Sequence, residues 1–215
     1  MKRFAVLGAC LVLAACGGGP RYRDYGPPPP PPENGTLQHY SAVTPSASEP
    51  SRPMTPPKVA SAGPLKTAMI GSYMDNQESE LRHAMRGTGV LVGRPGDDIV
   101  LRMSSDAMFE DNSFNLSERA KDILWKLAPV LRHFDHTQVF IDAYTDTTGS
   151  ADKNMEVSRK RAYTIGGQLV KDAVPLARLQ AHGYGEENLK IKTGDQMNEP
   201  RNRRIEIRIV ARAEG

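Results

Sequence analysis

The chain has little cysteine, few aromatic residues and almost no excess charge of either sign. Its two cysteines, Cys10 and Cys16, both fall near the start of 215 residues, so neither a disulfide framework nor a cysteine-based zinc site can form in the rest of the chain. Lys and Arg number 28 against 25 Asp and Glu, and so small an excess gives no reason to expect nucleic acid as a partner. No later apolar run is long enough to cross a bilayer.

The N-terminus has the composition of a secretory signal. The positive start Met1 to Arg3 precedes an apolar run, Phe4 to Ala15, which is too short to span a membrane. The run ends in Leu13-Ala14-Ala15-Cys16, which resembles the bacterial lipobox and implies that Cys16 is acylated and begins the mature protein. Leu7-Gly8-Ala9-Cys10 fits the same loose pattern but leaves a shorter apolar segment than such signals need, and an ordinary secretory signal with a bystander cysteine is the other alternative. Gly17, in place of Asp, implies outer-membrane sorting by resemblance to enteric lipoproteins.

A proline-rich stretch separates this signal from the part that can fold. Thirteen of the 17 prolines lie between residues 17 and 66, including the unbroken run Pro27 to Pro32. The stretch has no hydrophobic periodicity, so we interpret it as a disordered linker. We therefore expect a signal peptide at 1–15, an acylated cysteine with its linker at 16–64, a helical lead-in with a hairpin strand at 65–96, and a folded domain at 97–212.

The remainder alternates between helical and strand patterns. Apolar spacing predicts helices over Lys66 to Met85, Leu116 to Phe134 and Lys153 to Asp172. In the second helix we expect a cap from Asn115 and Glu118 and a bend at Pro129, and in the third a buried stripe made of Met155, Ser158, Ala162, Ile165 and Leu169. Apolar runs predict five strands, namely Gly89 to Val92, Asp98 to Met103, Gln138 to Ala143, Arg178 to Gly185 and Arg203 to Val210. The fold class is an α/β sandwich with two main helices on one face of a mixed sheet, and the pattern leaves open whether the first helix packs on it.

Charged residues follow the middle predicted strand, where open α/β sheets hold ligands. Asp146 comes directly after that strand, and Asn154, Val157 and Arg161 share one face of the helix that follows. A carboxylate and a guanidinium can then flank one groove. Spacing alone favours an ordinary turn aspartate and a solvated helix arginine over a binding pair.

Four linked motifs carry a resemblance to a known family. They are Thr145-Asp146-Thr147-Thr148-Gly149, then the run Asn154 to Ala162, then Gly183-Tyr184-Gly185-Glu186, then the run Asn202 to Ile207. In this order and at these distances they resemble the peptidoglycan-binding domain of OmpA-like proteins, over about residues 97–212. With the signal and linker, the chain also resembles peptidoglycan-associated lipoproteins.

The resemblance implies a non-catalytic domain that holds the meso-diaminopimelate of the peptidoglycan stem peptide between Asp146 and Arg161. Arg offers a fork of donors to a carboxylate, and an ionised Asp offers acceptors only, so the pair suits a zwitterion. The resemblance adds a further wall made of Phe109, Glu110 and Asn112, with Glu110 one methylene longer than the family's Asp and Val157 in place of its Leu. Asn154 belongs to the matched run. Arg203 either faces the pocket or orients the last strand through salt bridges.

The expected partners are the peptidoglycan stem and the outer membrane, reached through acylated Cys16, with the domain in the periplasm. Envelope proteins are further candidate partners, and in one alternative a protein partner is the main ligand while wall binding only positions the chain. A wall hydrolase is a third reading, for which Glu186-Glu187 or Glu110-Asp111 would supply paired carboxylates, but adjacent residues rarely face each other. We expect no catalytic residue, no cofactor and no metal.

Overall fold

The computed structural model describes residues 63–213. The signal peptide, Cys16 and nearly all of the linker lie outside the described residues. Four α-helices and five strands follow one another in the order α1 (Thr67–Ala84), β1 (Leu91–Gly93), β2 (Ile99–Ser104), α2 (Ser105–Met108), α3 (Glu118–His133), β3 (Thr137–Tyr144), α4 (Ala151–Lys171), β4 (Leu179–Gly185) and β5 (Arg204–Ala211), with a 3-10 turn at Leu176–Arg178.

The strands form one mixed sheet in the order β1-β2-β5-β3-β4. Only β3 and β4 run parallel; the other neighbours are antiparallel. One face of the sheet lies against the core and the other is partly exposed. Along β5 the buried face carries Ile205, Ile207 and Ile209, which are fully buried, while the alternate side chains are partly exposed. Helix α4 packs on β3 and β4, and α3 packs between α1 and α4. The predicted α/β fold with its mixed sheet is confirmed.

Helix α3 begins with a cap different from the expected one. Ser117 is the N-cap, and its hydroxyl accepts a hydrogen bond from the backbone N–H of Ala120. Asn115 does not cap the helix. It lies in the preceding loop, where its backbone N–H donates to the Ser113 hydroxyl. The prediction of a cap from Asn115 and Glu118 was therefore wrong. Pro129 lies inside the helix, which continues to His133.

Helix α4 buries a slightly different stripe from the one predicted. Ser158, Ala162, Ile165 and Leu169 are fully buried as expected, but Met155 is only partly buried. Asn154 is buried in its place, because its side chain is held by two hydrogen bonds at the start of the helix. Hydrophobic periodicity predicts that Met155 is buried at this position, but the hydrogen-bonded polar side chain of Asn154 is buried instead.

Helix α1 packs on the rest of the described chain. Met74 and Leu81 on its inner face are fully buried in the common core. The Tyr73 hydroxyl accepts a hydrogen bond from the backbone N–H of His136 at 3.0 Å, and the Tyr73 ring meets Phe134 edge to face. The question that the sequence left open is thus answered by direct packing. Within residues 63–213, no helix combines the length and the apolar character needed to cross a bilayer.

Candidate functional site: a charged cavity at one edge of the sheet

Four strands end at the same edge of the sheet. Ser104, Arg204, Tyr144 and Gly185 lie side by side across β2, β5, β3 and β4. Because β5 runs antiparallel to β2 and β3, its beginning meets their ends. Residues just beyond this row, although distant in sequence, must therefore converge.

A cavity of about 650 Å³ opens at this edge. It is lined by backbone and side chains from the α2–α3 loop, the β3–α4 turn, helix α4 and the segment before β5, namely Asp106, Phe109, Glu110, Asp111, Asn112, Thr145, Asp146, Thr148, Gly149, Lys153, Asn154, Val157, Arg161, Asn198 and Arg203. All eight residues expected from the sequence are in this set. The structure thus brings the predicted carboxylate and the predicted guanidinium to one cavity.

Asp146 sits in the turn after β3 and is only 4% exposed. Its Oδ1 accepts a hydrogen bond from the Thr148 N–H at 3.1 Å, and its Oδ2 pairs with Arg203 Nη1 at 2.6 Å. The Asn154 side-chain amide donates to the backbone carbonyl of Asp146 at 3.2 Å and to Glu186 at 2.8 Å. Two donors hold the carboxylate and a third holds the backbone of the same residue, and an ionised carboxylate still has lone pairs left for a further donor.

The turn itself is braced by the segment before β5. Gly149 has a positive φ of 94°, which favours glycine. The Gln196 side chain accepts from the Gly149 N–H at 3.0 Å and donates to the Gly149 carbonyl at 2.7 Å. The Thr147 hydroxyl donates to the Gly194 carbonyl at 2.7 Å. These contacts make the turn a rigid wall of the cavity.

Arg161, on α4, lines the same cavity as Asp146. Its Nε donates to the Ser113 carbonyl at 3.1 Å and its Nη1 donates to the Ser105 hydroxyl at 3.0 Å, while the guanidinium lies 5.1 Å from the centre of the Phe109 ring. Burial lowers the pKa of Arg161 from its usual value. Among residues 63–213, no acidic side chain forms a salt bridge or hydrogen bond with it, although the Asp106 carboxylate attracts it through space. The guanidinium therefore has donor capacity to offer an anion.

Arg203 fulfils both of the roles that the sequence left open. It lines the cavity, and it also forms salt bridges with Asp106 and Asp146. Its guanidinium donates in addition to the Asn198 side chain. The hydrogen bonds that Arg203 donates to Asp106, ahead of other causes, raise the pKa of Arg203 above its usual value.

The loop between α2 and α3 forms the wall opposite the turn. Phe109 is 3% exposed and supports Arg161 from below, whereas Glu110 is exposed. Asn112 adopts a left-handed conformation with φ of 50°, which Asn tolerates better than most residues. On α4, Val157 is half-buried and adds an apolar patch to the same cavity. The loop therefore contributes one buried aromatic ring together with exposed polar and acidic side chains.

Sequence reasoning missed several residues that line the cavity. Asp106 belongs to the short helix α2, which four residues of unremarkable pattern do not reveal. Asn198 lies in the irregular segment between β4 and β5. Lys153 stands one turn before Val157 on α4, and in the described part of the chain its ammonium forms no salt bridge. A signal for Lys153 existed in the helical spacing from Arg161; none existed for the other two.

The fold and the cavity together define an α/β domain whose cavity presents both signs of charge. The OmpA family model matches residues 108–203. The chain is 30% identical to the peptidoglycan-associated lipoprotein of Pseudomonas putida over 121 residues, which cover 56% of this chain and 72% of that protein. The chain belongs to the OmpA family.

Other relatives match over part of their length. A protein of Escherichia coli strain K12 named probable lipoprotein YiaD is 38% identical over 138 residues, or 64% of this chain and 63% of that protein. The chain spans 28% of an outer membrane protein of Gluconacetobacter diazotrophicus, at 33% identity over 46% of this chain. A MotB-like protein from Desulfovibrio vulgaris has a similar solved structure, with a TM-score of 0.59 at 24% identity over 69% of this chain and 96% of that one. At that identity the structural likeness shows the fold alone.

Proposed function

We propose that this domain binds peptidoglycan non-covalently by holding the side-chain end of meso-diaminopimelate in the stem peptide. The observation that carries the proposal is that Asp146 and Arg161 line one cavity, with no salt bridge to Arg161 among residues 63–213. The name of the Pseudomonas putida relative, a peptidoglycan-associated lipoprotein, supports the same ligand.

The chemistry of the ligand fits the two charges. The side-chain end of diaminopimelate carries a carboxylate and an ammonium on the same carbon. Arg161 is the donor for the carboxylate, because its remaining N–H groups are not taken by an acid. Asp146 is the acceptor for the ammonium, since Arg203 and Thr148 use only part of its lone pairs.

The strength of binding to one stem should be modest. A charge-assisted hydrogen bond contributes about 1.5–3 kcal/mol, and association has its own entropic cost of at least about 4 kcal/mol. Peptidoglycan repeats the same stem many times, and a membrane-anchored protein is held next to it. Effective concentration, not single-site affinity, would then keep the protein on the wall.

We further infer that the chain is an outer-membrane lipoprotein anchored through Cys16 and that the domain is not an enzyme. Relatives named lipoproteins support the anchor. For the second point, Glu186 accepts the Asn154 amide and is thereby a structural group. The carboxylates of Asp106 and Asp146 both accept hydrogen bonds from the one guanidinium of Arg203, so neither is placed as one of the two carboxyl groups that flank a glycosidic bond in a glycosidase.

Co-sedimentation with purified sacculi tests the proposal. The full-length chain should pellet with diaminopimelate-type sacculi and release no soluble muropeptides. Arg161→Ala and Asp146→Ala should remain in the supernatant, because each loses one of the two charges that the ligand needs. Asp146→Asn keeps the shape of the side chain, and Arg161→Lys keeps its positive charge. These milder variants show whether a loss of binding in the alanine variants comes from a folding defect.

Matched controls lie on the same helix. Arg159→Ala and Asp152→Ala remove the same charges from exposed positions of α4 that do not line the cavity, and both should pellet like the wild type. Sacculi that carry lysine in place of diaminopimelate should bind poorly. Normal pelleting of both site variants would refute the site, equal binding to lysine-type walls would refute the zwitterion account, and released muropeptides would indicate a hydrolase.

A further inference from the structure

Ser105 directly orients the guanidinium of Arg161. The Ser105 hydroxyl accepts from Arg161 Nη1 at 3.0 Å, and the Ser105 side chain is fully buried. The second bond of Arg161, from Nε to the Ser113 carbonyl, comes from a different segment. Two bonds from two nitrogens fix the plane of the guanidinium, and hence the direction in which its remaining N–H groups point.

The next residue, Asp106, orients the other charge through Arg203. Asp106 receives Nε of Arg203 on Oδ1 at 2.9 Å and Nη2 on Oδ2 at 2.7 Å, which is a bidentate pair. The remaining nitrogen, Nη1, reaches Asp146 Oδ2 at 2.6 Å. The guanidinium of Arg203 is thus a rigid spacer between the carboxylates of Asp106 and Asp146.

Both residues stand on a fixed base. The backbone N–H of Ser105 donates to the Arg203 carbonyl at 3.0 Å, which continues the pairing of β2 with β5. At the other end of α2, Ser117 donates its N–H to the Met108 carbonyl at 3.0 Å and its hydroxyl to the Ala107 carbonyl at 2.8 Å. Helix α2 is therefore tied to the sheet and to α3, and it cannot move without breaking these bonds.

We propose that Ser105 and Asp106 are positioning residues that set the separation of the two charges in the cavity. They thereby select a ligand that carries its carboxylate and its ammonium on the same carbon. Ser105 acts on the carboxylate through Arg161, and Asp106 acts on the ammonium through Arg203 and Asp146. This inference rests on the proposed function. It predicts that the two residues affect different groups of the same ligand.

A crossed binding experiment separates the two roles. The ligands are a stem peptide with meso-diaminopimelate, the same peptide with its side-chain carboxylate amidated, and the same peptide with its side-chain amine acetylated. Calorimetry with the full-length wild-type chain should show losses of about tenfold or more for each modification, since each removes a charge-assisted contact. Ser105→Ala should erase the penalty for amidation and keep the penalty for acetylation, and Asp106→Asn should do the reverse.

Further variants protect the test against a folding defect. Arg203→Lys keeps the positive charge but breaks the bidentate bond to Asp106, so it should reproduce the pattern of Asp106→Asn. Ser104→Ala, at an exposed neighbour whose hydroxyl caps nothing, and Asp152→Asn, at an exposed position of α4, should keep both penalties.

The outcomes divide cleanly. If Ser105→Ala and Asp106→Asn each lost the same affinity for all three peptides, their role would be merely structural. That result would overturn this inference and leave the proposed function standing. Unchanged affinity in both variants would also overturn it. A wild-type chain that binds none of the peptides would overturn the proposed function, and this inference with it.

Discussion

Replacing Gly183 with alanine should loosen the packing on which the cavity depends. Gly183 lies in β4 under helix α4, where an added Cβ would stand 2.1 Å from the backbone nitrogen of Arg159 and 2.5 Å from its Cα. Backbone atoms of a helix cannot rotate away as a side-chain tip can, so α4 must shift. Arg161 lies two residues along the same helix, and it would move with it.

The loss of folding stability in Gly183→Ala can be estimated from the clash. Overpacking by one methyl group costs about 1–3 kcal/mol, and a clash with backbone belongs at the upper end of about 3 kcal/mol. For a domain of this size each kcal/mol lowers Tm by about 2–4 °C, so Gly183→Ala should unfold about 6–12 °C earlier than the wild type. Circular dichroism during heating measures the shift, and co-sedimentation with sacculi measures the effect on binding.

Gly194→Ala is the matched control. Nothing lies within 4 Å of a Cβ at Gly194, and its φ is not in the left-handed region, so its Tm should equal that of the wild type. If Gly183→Ala also melted within about 2 °C of the wild type, less than the change for 1 kcal/mol, the close approach of α4 to β4 would not have the structural role given to it here.

Two further predictions concern acid and the membrane. Hydrogen bonds from Arg203 hold the pKa of Asp106 below its ordinary value of 3.8, so the stability that Asp106 contributes is present above that value and is lost as the pH falls through the lower folded pKa. The difference in unfolding free energy between wild type and Asp106→Asn, from urea denaturation, should therefore be steady near neutral pH and disappear in stronger acid; a difference unchanged into acid would contradict this. Cys16→Ser should release the protein from the membrane fraction and abolish labelling by palmitate, whereas Cys10→Ser should do neither, because burial of acyl chains at about 0.8 kcal/mol per methylene is the proposed anchor. Membrane association of both variants would exclude Cys16 as its source.

Local patterns were sufficient for the strands and the three long helices, but not for the four-residue helix α2 or for the contacts between elements. The helices follow from apolar residues three and four positions apart and the strands from alternation, and both patterns report burial of one face. The cap of α3 was misplaced because Asn115, with Glu118 three residues on, fits the capping-box pattern, while Ser117 is an equally acceptable N-cap. The bonds from Ser117 to α2 favour Ser117. The pairing of Arg203 with Asp146 joins residues 57 positions apart. No periodicity encodes that pairing, because it depends on β5 lying between β2 and β3.

The position of β5 explains why the site is rigid and why no short segment contains it. Asp106 follows β2, Asp146 follows β3, and Arg203 precedes β5, which pairs with both strands in register. Inserting β5 between two strands that run the opposite way brings one cation between two carboxylates, at a distance set by the spacing of neighbouring strands of about 4.8 Å. The charges are therefore fixed by the same hydrogen bonds that hold the sheet together. A ligand that uses Asp146 meets a site that is already organised and need not supply the free energy of arranging it.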